Sequence, residues 1–145
     1  MSISEEEISF QYETDFNLGD ESSYRKWVID IITSEKKQGG VLTFIYCGDK
    51  YLHEINMQYL NHDTYTDIIT FDYSEGQLIS GDIFISIERV KDNAKTYEES
   101  FDEELKRVMA HGLLHLMGYK DKKDQDRFVM RSKESEKISM FHVER

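Results

Sequence analysis

The chain has 145 residues, of which 39% are hydrophobic, so it suits one folded domain rather than a disordered segment. Its formal net charge of −11 argues against broad nucleic-acid binding, because that needs many cations to displace counterions from phosphates. No apolar run is long enough to span a membrane, the first seven residues do not resemble a signal peptide, and the single Cys47 cannot form an internal disulfide. We therefore expect a soluble, cytoplasmic protein without membrane association.

The first half of the chain is predicted to contain two strands and two helices. Alternating apolar residues from Ile8 to Tyr12 predict a strand, and helical spacing from Tyr24 to Ile32 predicts a helix that ends at Gly39-Gly40. The apolar run from Val41 to Tyr46 predicts a buried strand. Asp49 is placed to cap a second helix, whose inner face is predicted to comprise Leu52, Ile55, Tyr59 and Leu60.

Two further strands are predicted over residues 67–73 and 78–86. The segment Ser74-Glu-Gly76 between them is typical of a hairpin turn. Ser86 is predicted to cap a third helix, whose apolar residues are Ile87, Val90, Ala94 and Tyr97.

The last two helices are predicted from a capping pair and from a weakly amphipathic stretch. Ser100 and Glu103 form a capping-box pair at the start of the fourth helix, and the fifth extends from about Asp124 to Phe141. With no repeat, no low-complexity tract and no proline, the sequence shows no linker. The chain is therefore predicted to be a single α+β domain of about four strands and five helices.

Residues 107–121 contain the pattern His-x-x-x-His-x-x-Gly-x-x-Asp, which is typical of a metal site. His111 and His115 are four residues apart in an apolar helical run, so both imidazoles lie on one face of the helix. Gly118 can end that helix in a left-handed conformation, after which the chain can turn back toward the two histidines. We therefore predict a metal site on a helix and the turn after it, with His111, His115 and Asp121 as ligands.

The same histidine spacing is also found in core histidines that are hydrogen-bonded to the backbone. The glycine and the carboxylate at these offsets favour the metal site. Zinc peptidases carry a glutamate general base directly after the first histidine, and that position is Gly112 here. In a metal hydrolase with this sequence, water would be activated by the metal alone or by a residue from elsewhere.

Basic residues gather near the predicted metal site despite the negative net charge. Residues 118–145 carry a net charge of +2, which leaves −13 for residues 1–117. The basic cluster is interpreted either as a substrate-facing patch or as an ordinary solvated helix face. It comprises Lys106, Arg107, Lys120, Lys122, Lys123, Arg127, Arg131 and Lys133.

Four stretches resemble motifs of the YbeY family, the bacterial rRNA maturation factors. His111-Gly-Leu-Leu-His-Leu-Met-Gly-Tyr119 is similar to the family signature HGxLHLxGYDH. Thr66-Asp67-Ile-Ile-Thr-Phe71 resembles the family strand T-D-V-L-S-F, and Gly81-Asp82-Ile-Phe-Ile-Ser86 resembles the strand G-D-I-x-I-S. Asn56-Met-Gln-Tyr59 matches the family's N-x-x-Y upstream. The resemblance covers roughly residues 40–138 in the right order.

The resemblance implies a metal-dependent, single-strand-specific endoribonuclease that acts in small-subunit rRNA maturation and ribosome quality control. The implied partners are single-stranded rRNA and the small ribosomal subunit. The resemblance also implies a mixed sheet and one zinc ion per chain, held by three ligands that include His111 and His115.

The third family ligand is a histidine, at the position that is Asp121 in this chain. A carboxylate oxygen can bind zinc at nearly the same distance as an imidazole nitrogen, and its presence makes another divalent transition metal acceptable. Asp121 is therefore kept as the third ligand, with Asp124 or His62 as the alternatives.

A second departure from the family affects substrate binding. The family usually has an arginine directly after N-x-x-Y, placed to contact a phosphate, and that position is Leu60 here. Either another cation, Lys120 or Arg107, takes this role, or the RNA is held differently.

Asp67 joins His111 and His115 as a candidate catalytic residue. Asp67 and Asp82 can each orient a ligand histidine or act as general base, or they can simply cap a neighbouring turn or pair with a lysine. Tyr119 can stack on an RNA base or pack the turn.

Two other functions stay open. One is a metallopeptidase-like hydrolase, and the other is a non-catalytic ribosome-binding factor with a structural metal. The sequence does not define an oligomeric state.

Overall fold

The computed structural model describes residues 7–62 and 66–141, and these residues form four strands and five helices in one α+β domain. The strands are β1 (Ile8–Tyr12), β2 (Gln38–Cys47), β3 (Ile68–Asp72) and β4 (Leu78–Ser86). The helices are α1 (Glu21–Ser34), α2 (Asp49–Leu60), α3 (Ile87–Thr96), α4 (Phe101–Leu116) and α5 (Asp124–Ile138). The predicted fold class and numbers of elements are confirmed.

The four strands form one mixed sheet in the order β1-β2-β4-β3. The pairs β1–β2 and β2–β4 are parallel, and β3 pairs antiparallel with β4 through the predicted hairpin, in which Gly76 has a φ of +59°. The two parallel pairs are joined through helices, as parallel strands require. The mixed sheet that the family resemblance implied is therefore present.

The two faces of the sheet have different partners. Phe44, Ile83 and Ile85 point toward the main core, which they share with α1, α3 and α4. Cys47 and Ile69 point to the other face, where they pack against Leu52 of α2 in a smaller core. The alternation of side chains along each strand thus decides which residues can reach a site built on α4.

The helix caps agree with the sequence at two of three predicted positions. The side chain of Ser86 accepts a hydrogen bond from the Arg89 backbone N–H, and that of Ser100 accepts one from the Glu103 N–H. Asp49 does not cap α2, because Gly48 holds the cap position and Asp49 is the first helical residue. The Asp49 carboxylate instead accepts hydrogen bonds from the Ser86 hydroxyl and from Arg89.

The prediction that Gly39-Gly40 ends the first helix is wrong. The helix α1 ends at Ser34, and Lys36 takes a left-handed φ of +59° in the turn that follows. Both glycines lie inside β2, where a Cβ on Gly40 would meet the Ser80 side chain at 2.2 Å. Neither glycine terminates the helix, and Gly40 allows β2 to lie close to β4.

The prediction of the inner face of α2 is also wrong in part. Tyr59 is 63% exposed and Leu60 is 41% exposed, whereas Leu52 is buried as expected and Ile55 is half-buried. The polar Asn56 is buried in their place.

Two predictions about other helices also differ from the structure. Tyr97 is the C-cap of α3 and is exposed, and α5 ends at Ile138, three residues before Phe141. None of the five helices in the described ranges has both the length and the apolar character needed to cross a bilayer.

Candidate metal centre and its cleft

Helix α4, which carries both histidines, lies directly on the sheet. A Cβ at Gly112 would come within 2.8 Å of Ile68 Cδ1 and 3.1 Å of Ile83 Cγ2, so any larger residue would require these sheet side chains to move. The position directly after His111 thus faces the sheet. A glutamate at this position, as in zinc peptidases, would clash with the sheet instead of reaching the histidines.

The turn after α4 brings Asp121 back to the histidines. The Gly118 N–H donates to the carbonyl of His115 and the Tyr119 N–H donates to that of Leu114, both at 3.0 Å, which is the Schellman pattern of helix termination. Gly118 has a φ of +99°, a left-handed conformation that glycine adopts without strain. The chain reverses here, as its sequence predicted.

His111, His115 and Asp121 converge on one point. Oδ2 of Asp121 lies 3.2 Å from Nε2 of His111 and 3.3 Å from Nε2 of His115. One ligand atom from each residue falls within 4.8 Å of the others, so the three residues can hold a metal ion. All three residues are half-buried, so one side of the group is open to solvent. Among the described residues, this is the one group of three or more His, Cys, Asp or Glu side chains whose ligand atoms lie close enough together to hold a metal ion.

Glu134 fixes the orientation of His111. The His111 Nδ1–H donates to Oε2 of the buried Glu134 at 2.6 Å, and Nη1 of Arg107 donates to the other carboxylate oxygen at 3.3 Å. Burial lowers the pKa of His111, but the hydrogen bond and charge of Glu134 outweigh it, and the pKa is raised. Sequence reasoning missed Glu134, which lies 23 residues from His111 on a helix with a weak apolar face.

A second polar network anchors the turn between α4 and α5. The Tyr119 hydroxyl donates to Oε1 of Glu35 at 2.6 Å, and the ammonium groups of Lys133 and Lys137 donate to Oε2 at 3.1 and 2.7 Å. Burial raises the pKa of Glu35, but hydrogen bonds from Lys137, Tyr119 and Lys133 outweigh it and lower the pKa to about 2. Of the two predicted roles for Tyr119, the structure supports packing of the turn.

Asp67 and Asp82 lie on different sides of the sheet. Asp67, just before β3, lines a cleft of about 340 Å³ together with His111, Asp121 and Glu134. We call this the metal-site cleft. Burial is the main cause that raises the pKa of Asp67, against the opposing effect of His111. Asp82 lines a separate groove beside Tyr59 and Phe84, so it cannot orient a ligand histidine.

The alternative third ligands do not join the group. The Asp124 side chain is 97% exposed and pairs with Arg127, and His62 is exposed beyond the end of α2. Leu60, the position at which the family usually has arginine, is also exposed on α2. Of the two cations considered in its place, Arg107 lines the metal-site cleft and Lys120 is exposed in the turn.

The basic cluster contains residues that are paired within the fold and residues that are exposed. Arg107 and Lys133 form ion pairs with the buried Glu134 and the half-buried Glu35, so their charges are at least partly used within the fold, although Arg107 also lines the metal-site cleft. Arg127 and Arg131 are exposed and line the metal-site cleft. Lys122 and Lys123 are exposed in the turn before α5. The substrate-facing interpretation therefore applies to a part of the cluster only.

The fold and the site together define a class of protein, an α+β domain in which a helix packed on a mixed sheet carries two histidines and a carboxylate at a cleft. Residues 7–142 match the model of the family described as Endoribonuclease YbeY. The chain belongs to this family, which confirms the resemblance seen in its motifs.

Curated relatives match over nearly the whole chain. A protein of Flavobacterium johnsoniae named Endoribonuclease YbeY is 61% identical over 137 residues, which cover 94% of this chain and 99% of the relative. A protein of Flavobacterium psychrophilum with the same name is 60% identical, covering 94% of this chain and 97% of the relative. The solution structure of TM1509 from Thermotoga maritima matches with a TM-score of 0.67 and 24% identity over 92% of this chain and 88% of the other, a likeness of fold.

Proposed function

We propose that this chain is a metal-dependent endoribonuclease that cleaves single-stranded RNA in the cytoplasm, during maturation of the small-subunit rRNA and in ribosome quality control. The observation that carries the proposal is the convergence of His111, His115 and Asp121 at an open cleft, in a chain whose curated relatives are named for endoribonuclease activity. The ribosomal role follows from the family motifs and is tested separately below.

The three residues fit one zinc ion per chain. Two imidazole nitrogens and one carboxylate oxygen are a common ligand set for catalytic zinc, in which a fourth position stays open for water or substrate. The described residues supply three ligands at this point, whereas a structural zinc site is usually closed by four. This favours an enzyme over a binding factor with a structural metal. When bound, the ion would supply Lewis acidity at neutral pH toward a phosphodiester and water.

The chain's own residues would hold and orient this centre. Glu134 accepts a hydrogen bond from the Nδ1–H of His111, which leaves Nε2 as the ligand atom. Arg127 and Arg131 at the rim of the metal-site cleft would hold RNA phosphates. Asp67 lines the same cleft and has a pKa raised by burial, so it is the candidate to accept a proton from the attacking hydroxyl group.

The test compares two substrates with and without a chelator. Purified protein should cleave a single-stranded RNA and leave casein intact, and the chelator should abolish the cleavage. Metal analysis should find about one divalent transition metal per chain, which His115→Ala should lose. His62→Ala is the matched control, because it removes an exposed histidine outside the ligand group.

Cleavage of casein, or RNA cleavage that survives complete metal removal, would contradict the proposal. The metallopeptidase alternative has a structural argument against it as well, because the position of its general base, Gly112, faces the sheet. For the ribosomal role, small-subunit rRNA from cells that lack the protein should keep unprocessed ends, and His115→Ala should fail to restore them.

A further inference from the structure

The metal-site cleft continues along α4 beyond the three metal-site residues. Glu104, Arg107 and His111 occupy positions i, i+3 and i+7 of this helix, so they lie on one side of it, and all three line the cleft. Seven residues of helix place Glu104 about 10 Å along the axis from His111. Glu104 itself, at this far end of the cleft, has no task in the proposed metal chemistry.

Two polar atoms at the far end are buried without a hydrogen-bond partner. Glu104 is 4% exposed, and its Oε1 finds no partner within the described ranges. The same holds for Nε of Arg107, although Nη1 of that side chain donates to Glu134 and Ser135. A buried polar atom without a partner keeps the full cost of its desolvation, so such atoms are rare in native proteins unless a ligand or water pairs with them. An acceptor and a donor are thus available on one face of α4.

The charge state of Glu104 agrees with this arrangement. Burial, followed by the nearby charges of Glu99 and Asp67, raises the pKa of Glu104 to about 7. Arg107 and Arg131 lower the pKa only in part. The carboxyl group is therefore not neutralised by a structural ion pair of the kind that holds Glu134.

The rim of this end carries groups that bind single-stranded RNA in other proteins. The Tyr97 ring is 57% exposed at the C-terminal end of α3, and Asn93 lies one turn before it. The exposed Arg131 faces the same cleft from α5. Aromatic rings stack on unpaired bases, and arginines track the phosphates between them. Stacking and phosphate contacts at the rim would thus surround the unpaired acceptor of Glu104 and the unpaired donor of Arg107.

We propose that this end of the cleft is a nucleobase subsite, in which Glu104 and Arg107 read the edge of a guanine whose phosphate lies at the metal centre. The inference rests on the proposed function, because RNA must enter the cleft for a base to reach this end. Guanine presents two adjacent N–H donors, N1 and N2, beside the acceptor O6. A carboxylate can accept from the donors while a guanidinium donates to O6. Uracil has a single N–H donor on that edge, and neutral adenine and cytosine have no ring N–H there.

The test measures the binding of 2′-fluoro single-stranded hexanucleotides at pH 8 by fluorescence anisotropy. One oligonucleotide has a single guanine among uracils, a second has inosine in place of that guanine, and a third has uracil alone. Inosine lacks only the N2 amino group. We expect the guanine oligonucleotide to bind about tenfold more tightly than the uracil one, the order expected for one bidentate base contact. Inosine should lose most of that gain.

Glu104→Gln should bring the ratio of the two dissociation constants close to one, because the amide presents one acceptor in place of two. Asp102→Asn is the matched control, since it removes the same charge from an exposed position on the same helix and should keep the tenfold ratio. If Glu104→Gln does not fold, the comparison of guanine with inosine in the unaltered protein decides.

Equal binding of the three oligonucleotides by the unaltered protein would overturn the subsite, and so would a guanine preference that survives Glu104→Gln. If RNA cleavage persists in either case, the proposed function stands and only the subsite fails. If the protein neither binds nor cleaves RNA, both proposals fail.

Discussion

Nδ1 of His111 donates a hydrogen bond to Oε2 of Glu134 at 2.6 Å, and this bond joins α4 to α5 at the candidate metal centre. It also decides which ring nitrogen faces Asp121, since Nε2 lies 3.2 Å from the Asp121 carboxylate. Because Glu134 is itself paired with Arg107, the ring is held by a chain of two charged groups rather than by a single flexible carboxylate. The orientation of one ligand is therefore set by the packing of two helices.

Weakening this bond should weaken metal binding. Glu134→Gln keeps an acceptor for the Nδ1–H but removes the negative charge, so we expect about a tenfold loss of zinc affinity, and Glu134→Ala should lose up to about 100-fold. Competition with a chromophoric chelator measures the dissociation constant. Glu136→Gln, an exposed position on the same helix, is the control and should leave the affinity unchanged. Equal affinity in all three variants would mean that Glu134 serves the fold alone.

The identity of the third ligand should decide metal preference. Asp121 offers a hard, anionic oxygen where the family signature has the neutral nitrogen of a histidine, so the site should accept manganese, iron or cobalt more readily than a site of three histidines. Asp121→His should shift the preference toward zinc over manganese, as measured by loading the protein from an equimolar mixture of the two ions. The exposed Asp124→His gives the comparison. No shift in Asp121→His would exclude residue 121 from the ligand set.

The exposed lysines of the turn before α5 should contribute to RNA affinity through their charge. Double replacement of Lys122 and Lys123 with alanine should reduce the slope of log affinity against log salt concentration by about one to two. A double replacement of Lys50 and Lys91, which are exposed on α2 and α3, should leave the slope as it was. Titration of a labelled single-stranded RNA at several salt concentrations gives both slopes. Equal slopes in the two variants would mean that Lys122 and Lys123 are merely solvated.

Acid should destabilise the fold through Glu35. Its pKa is lowered to about 2, below the usual value near 4.5, so its contacts stabilise the protein above the unfolded-state pKa and are lost as the pH falls toward 2. Glu35→Gln should therefore reduce the free energy of unfolding by roughly 1–3 kcal/mol at pH 7. The difference from the unaltered protein should shrink between pH 5 and pH 2. Urea unfolding at several pH values measures it, and a difference that does not depend on pH would contradict this assignment.

The convergence of the candidate metal ligands could be predicted from the sequence because its geometry is local. His111, His115 and Asp121 fall within eleven residues, and helical spacing followed by a left-handed glycine fixes their relative positions. Glu134 could not be found in the same way. Its position depends on how α5 packs against α4, and no spacing rule links the two helices.

Errors in the fold prediction have a similar cause. Gly39-Gly40 has the composition of a helix stop, but the approach of β4 places both glycines in a strand. Tyr59 and Leu60 satisfy the helical period, yet Tyr59 meets the sheet only edge-on at Phe71 and both side chains stay exposed, whereas Asn56 is buried. In each case a tertiary contact overrides a valid local pattern.

The network around Glu35 has a consequence for the order of events during protein synthesis. Helix α1 and the strands leave the ribosome well before α5, but the Trp27 indole N–H donates to the Lys137 carbonyl, and Glu35 takes its bonds from Tyr119, Lys133 and Lys137. A nascent chain that has reached only Asp121 already contains all three candidate ligands. It still lacks Glu134 and the lysines that fasten the turn. The nascent enzyme should therefore acquire its metal only after α5 has been synthesised and has closed over α1 and α4.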